Sequence, residues 1–81
     1  MSIASITSKL RETAGPHYTI KQVRLGYLEG GKKQMLQFFL SCNKPGHKIT
    51  ESIQMHILDG GDDPVKKAIE IGQQLARKLE D

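Results

Sequence analysis

Apolar positions along this chain change their spacing several times, and each change marks an element. Ile3, Ile6, Leu10 and Ala14 lie three to four residues apart, which is one face of a short helix. Ser2 is suited to cap it, and Gly15-Pro16 to stop it. Over residues 17–28 the spacing becomes two. Val23, Leu25 and Tyr27 alternate with Arg24 and Gly26, while Tyr18 and Ile20 hold the opposite phase. The change of phase predicts a bulge near Lys21-Gln22. Gly30-Gly31 then predicts a two-residue hairpin turn, because glycine accepts positive φ at both central positions. A second, more apolar strand follows over residues 34–42. Pro45-Gly46 predicts a type II turn, with proline setting φ at one position and glycine supplying φ > 0 at the next. Residues 48–58 alternate again. Ile49, Ile53, Met55 and Ile57 fall on one side, and Lys48, Thr50, Ser52, Gln54 and His56 on the other.

The two turns together predict a register. A turn centred on Gly30-Gly31 sets Leu25 opposite Leu36 and Val23 opposite Phe38. A turn centred on Pro45-Gly46 sets Phe38 opposite Ile53, Leu36 opposite Met55 and Cys42 opposite Ile49. All of these pairs are apolar, and a slip of one residue would move a whole strand's apolar set to the other face. Glu51 opposite Leu40 is the exception and belongs at the sheet margin. Cys42 is expected to be a small buried apolar residue, as free cysteine usually is.

A final helix begins at Pro64 with Asp63 as its cap. Val65, Ala68, Ile69, Gly72, Leu75, Ala76 and Leu79 form its apolar stripe, opposite a stripe rich in Lys, Glu and Gln. Gly72 within that stripe costs about 1 kcal/mol of helix propensity relative to Ala. Its expected return is a close approach to the sheet or to the first helix. The result is an α+β fold in the order α-β-β-β-α: a three-stranded antiparallel meander with two helices on one face. The other face is left open.

Length and charge narrow the class. Eighty-one residues make one small domain, and 37% apolar content supports one thin core. A single cysteine cannot form an internal disulfide, so a reducing, cytoplasmic setting is expected. No run approaches the ~20 apolar residues of a membrane helix, so no membrane partner is expected. Residues 1–50 carry eight Lys or Arg against two acids, and residues 51–81 carry four against seven. A basic body of this kind suits a polyanion.

Catalytic chemistry is not indicated. His17, His47 and His56 fall in different elements, without metal-site spacing, and no serine sits in a nucleophile elbow. Gly60-Gly61 before a helix resembles a phosphate turn, but Asp59, Asp62 and Asp63 surround it. Neither an enzyme activity nor a cofactor is expected.

Two surfaces remain. The open sheet face is predicted to carry Phe39, Met35, Gln37, Gln54 and His56, an aromatic and a methionine ringed by polar groups. Such a face could stack a nucleic-acid base or pair with another protein, including its own copy. The second surface is basic: Lys32 and Lys33 at the first hairpin tip, Lys66 and Lys67 opening the last helix, with Arg24 and Lys48 on the sheet.

The element order and these lysines resemble the double-stranded-RNA-binding domain. Pro16-His17-Tyr18 matches that family's Pro-x-Tyr at the first strand, and Phe38 its second-strand aromatic. Gly60 and Gly61 before Lys66 and Lys67 resemble its glycines before a Lys-Lys pair. Gly30-Gly31-Lys32-Lys33 stands where the family carries Gly-Pro-x-His, and Glu70 falls at or beside its third lysine. The resemblance implies the same topology and RNA contact by the lysines. The expected function is therefore a non-enzymatic binding module. Nucleic acid is the first expected partner, and a protein or second copy on the open face is the alternative.

Overall fold

The computed structural model describes residues 3–47 and 50–80. Helix α1 (Ile3–Ala14) leads into strands β1 (Tyr18–Leu28), β2 (Lys33–Cys42) and β3 (Thr50–Asp59), and helix α2 (Pro64–Lys78) closes the chain. The three strands form one antiparallel sheet in the order β1-β2-β3. This is the expected α-β-β-β-α, α+β architecture. Ser2, Lys48 and Ile49, which carried expectations above, lie outside the described residues.

Local chemistry ends the helices where the pattern indicated. Gly15 adopts φ +93° after α1, and its N–H donates to the Arg11 carbonyl at 3.2 Å. The Asp63 carboxylate accepts from the Val65 N–H at 3.0 Å, with Pro64 in the first turn of α2. In β1 the pairing shifts between Lys21 and Arg24, and Gln22 takes φ +56°. The bulge is therefore where the phase change indicated. It lets Ile20 and Leu25 both face the helices.

The first hairpin keeps its centre on Gly30-Gly31 but is wider than expected. Leu28 pairs with Lys33, and residues 29–32 form the loop through a short 3-10 turn. Because the centre is unchanged, Leu25 still lies opposite Leu36.

The second hairpin departs from expectation by one residue. Its tight turn forms as read, with Gly46 at φ +87° and the His47 N–H on the Lys44 carbonyl at 3.1 Å. Cys42, however, pairs with Thr50 instead of Ile49. The connection holds one more residue than a turn centred on Pro45-Gly46 allows. Phe38 is thus opposite Gln54, Leu36 opposite His56 and Phe39 opposite Ile53. The slip inverts β3: Thr50, Ser52, Gln54 and His56 face the helix side, and Ile53, Met55 and Ile57 face outward.

The core explains why this register is tolerated. It joins Ile6, Leu10 and Ala14 of α1 to Ile20, Leu36, Phe38, Leu40 and Leu58 of the sheet and Ala68, Ile71 and Leu75 of α2. β3 supplies only Leu58 to it. On the inner side of β3 Leu58 is buried, His56 and Gln54 are half-buried and Ser52 and Thr50 are exposed, so the apolar layer thins along the strand and polar residues are accepted there. In α2, Ile71 is buried and Ile69 only half-buried, a small rotation of the expected stripe.

Polar links fasten the layers. The Arg11 guanidinium donates to the Ile20 carbonyl at 3.1 and 2.8 Å. The Tyr18 hydroxyl donates to the Leu75 carbonyl at 2.9 Å. Buried Gln34 directs its amide N–H groups at the carbonyls of Asp59, Gly60 and Asp62, at 3.3, 3.1 and 3.2 Å. A buried amide on three carbonyls holds the β3–α2 connection against β2. Gly60 N–H also donates to the Lys32 carbonyl at 2.8 Å.

Candidate interaction surface

The expected binding groups separate onto three surfaces. Met35, Gln37 and Phe39 stay on the open sheet face, half-buried, as their alternation with Leu36 and Phe38 requires. Gln54 and His56 do not join them, because the β3 register carries both to the helix side. Ile53, Met55 and Ile57 take their place, exposed at 65%, 58% and 54%. The pairings Phe39 with Ile53, Gln37 with Met55 and Met35 with Ile57 make the strip continuous across β2 and β3. Five apolar side chains therefore line the outer half of the open face. The sequence did show Ile53, Met55 and Ile57 as one face; it did not show which way that face turns.

Toward β1 the same face is polar and basic. The Lys21 ammonium lies 4.9 Å from the centre of the Phe39 ring, a cation–π contact. The bulge at Gln22 opens a shallow concavity of about 190 Å³ beside Arg24, Gln37, Phe39 and Ile53. Its floor is the outer face of β2.

On the helix side, His56 stacks on Phe38 with ring centroids 5.8 Å apart and planes 7° from parallel. Burial pushes its pKa below the ordinary imidazole value, and the Lys67 and Lys78 ammonium groups add to the effect. Its Nε2 is buried without a hydrogen-bond partner. The folded chain thus holds His56 neutral, while the unfolded chain protonates it near pH 6.5. Its contribution is complete above that pH and is lost on acidification below it, until the folded imidazole also titrates. The melting temperature should fall between pH 7.5 and 5.5, and His56→Gln should reduce that slope. An unchanged slope in thermal melts across this range would refute the assignment.

The basic set is brought together but largely offset. The Lys32 carbonyl bond to Gly60 gathers the hairpin tip and the start of α2 at one end of the molecule. Lys33 pairs with Asp59 at 2.9 Å, and Lys67 with Glu70 at 3.6 Å. The Lys33 contact holds the Asp59 carboxyl below its ordinary range. Asp62 and Asp63 lie in the same connection. Lys32, Lys33, Lys66 and Lys67 therefore meet four carboxylates at that end, which leaves little net field for a polyanion. Arg24 stands apart on the exposed part of β1.

Among the described residues, no group of three or more His, Cys, Asp or Glu side chains is gathered as a metal ion would need. Likewise, no helix is long and apolar enough to cross a membrane. No family model, curated protein or solved structure matches the chain.

Proposed function

We propose that this chain is a non-enzymatic interaction module of the cytoplasm that associates with a second copy of itself through the outer half of its open sheet face. The observation carrying this reading is the strip Met35, Phe39, Ile53, Met55 and Ile57. Three of its members are more than half exposed on a sheet whose other face already buries the core. Contiguous exposed apolar side chains beside polar residues are characteristic of contact surfaces. A second copy carries the same strip and so supplies a matching apolar surface through a two-fold axis. The offset lysines at the hairpin end are the reason to rank this above nucleic-acid binding.

Sedimentation across a concentration series tests the reading. The wild-type chain should pass from monomer to dimer, and Met55→Lys should weaken the dimer at least about tenfold while leaving the circular dichroism unchanged. A lysine at the strip's centre meets the second copy's lysine across the two-fold axis, an unfavourable like-charge pair that the monomer does not have. A wild-type chain still monomeric near roughly 1 mM, a free energy weaker than about −4 kcal/mol, would overturn the proposal. So would RNA or DNA binding that falls steeply with salt in a chain that never self-associates.

A further inference from the structure

The geometry points to one specific mode of that self-association: β3 pairs edge to edge with β3 of the second copy, antiparallel and centred on Met55, making one six-stranded sheet. This inference rests on the self-association reading above and makes its interface the outer strand: the strip's side chains meet laterally across the new strand pair and are not covered face to face.

Three observations carry it. The first concerns the sheet edges. β1 and β3 are both outer strands. β1 carries the usual edge defences, a bulge at Gln22 with Lys21 and Arg24 beside it. β3 has none of these. It pairs with β2 without a register break over ten residues and contains no Pro, Lys or Arg. A long, regular edge with an apolar outer strip and neither bulge, proline nor lysine is a template for another strand.

The second observation is the near mirror symmetry of β3 about Met55. Ile53 answers Ile57, Gln54 answers His56, and Glu51 answers Asp59. An axis perpendicular to the sheet keeps each residue on its own face, so it must pass through a pair of identical residues. Centred on Met55, the pairing sets Ile53 against Ile57 of the second copy and Met55 against Met55, apolar on apolar throughout. Centred on Gln54, it would set Glu51 against Ile57. Centred on His56, it would set Ile53 against Asp59. Only the Met55 register matches the whole strip.

The third is access. The helices leave the Thr50–Gln54 part of β3 uncovered, with an open groove of about 360 Å³ between Thr50, Ser52 and Gln54 on one side and Leu75, Lys78 and Leu79 on the other. The helices of two copies would lie on the same side of the joined sheet, with this groove between each α2 and the outer strand at the Thr50–Gln54 end.

The register sets Ser52 against Leu58, its one polar–apolar mismatch, and its like-charge pairs make the inference testable. Glu51 of each copy faces Asp59 of the other, a like-charge pair at each end of the ladder. Lys33, already on Asp59, offsets it only in part. Glu51→Lys turns both pairs into attractive ones and should tighten the dimer by about five- to tenfold at low salt. In registers centred on Gln54 or Ile53 the same residue faces Ile57 or Met55 and the change brings no gain.

Cysteine cross-linking gives the second arm. In a Cys42→Ser chain, Met55→Cys should form a disulfide-linked dimer on mild oxidation, since opposed residues have Cα atoms about 4.5–5.5 Å apart. Ile53→Cys should not link to itself, its two copies lying roughly 13 Å apart along the strands. The double variant Ile53→Cys/Ile57→Cys should link. A dimer by sedimentation in which Phe39→Cys cross-links and Met55→Cys does not would overturn edge pairing in favour of stacked faces, and would leave the self-association reading intact. A loss of affinity in Glu51→Lys also overturns the register. A monomer at every concentration overturns both readings together.

Discussion

Gly72→Ala should lower the thermal unfolding midpoint by about 5–15 °C, although alanine is ordinarily the better helix former by about 1 kcal/mol. The reason is the distance between the two helices. A Cβ added at Gly72 would overlap the Thr13 hydroxyl oxygen, and would stand 2.7 Å from Thr13 Cβ and 3.1 Å from the Ala14 backbone nitrogen. Thr13 cannot simply turn away, because its hydroxyl donates to the Lys9 carbonyl at 2.6 Å. An overlap this close lies at the upper end of the overpacking range, about 3 kcal/mol, which leaves a net loss of about 2 kcal/mol after the propensity gain. Thr13→Ala in the same chain should recover part of the loss, because residues in contact are not additive. If Gly72→Ala stabilises the protein, the helices do not approach here as described.

Phe38→Ala should cost about 3–5 kcal/mol, whereas Ile53→Ala should cost under about 1 kcal/mol in the monomer. Phe38 stacks on His56, belongs to the core shared with both helices and is almost wholly inaccessible. Ile53 is two-thirds exposed on the opposite face. Had the second hairpin closed symmetrically about Pro45-Gly46, these two residues would be opposed core partners with similar costs. Urea unfolding of the two variants, at a concentration where the chain is monomeric and with unchanged m values, decides between the registers. Comparable losses would restore the symmetric turn.

Much of the scaffold can be read from residue order because its determinants are local. The Asp63-Pro64 start of α2 and the Gly15 stop of α1 involve neighbouring residues only. The bulge at Gln22 shows as a phase change between Ile20 and Val23. Gly72 is legible as a close approach, since a glycine in an apolar helical stripe has a propensity cost that packing must offset. The binding surface is less legible. Lys32, Lys33, Lys66 and Lys67 read as a basic set until the fold brings Asp59 against Lys33, while the Lys67–Glu70 pair is local to one turn of α2. Gln54 and His56 read as neighbours of Phe39 until the register separates them.

Residue order by itself determined the succession of elements, their caps and turns, and the division of every strand into two faces, because alternation and turn chemistry act over a few residues. Which face of β3 turns inward was decided by tertiary structure alone. An apolar side points to a core only where something covers it, and the helices leave the Thr50–Ser52 end of β3 uncovered. With that cover missing, Leu58 and the Gln34 bonds to the β3–α2 connection anchor the strand. Ile53, Met55 and Ile57 are left facing outward on an open edge.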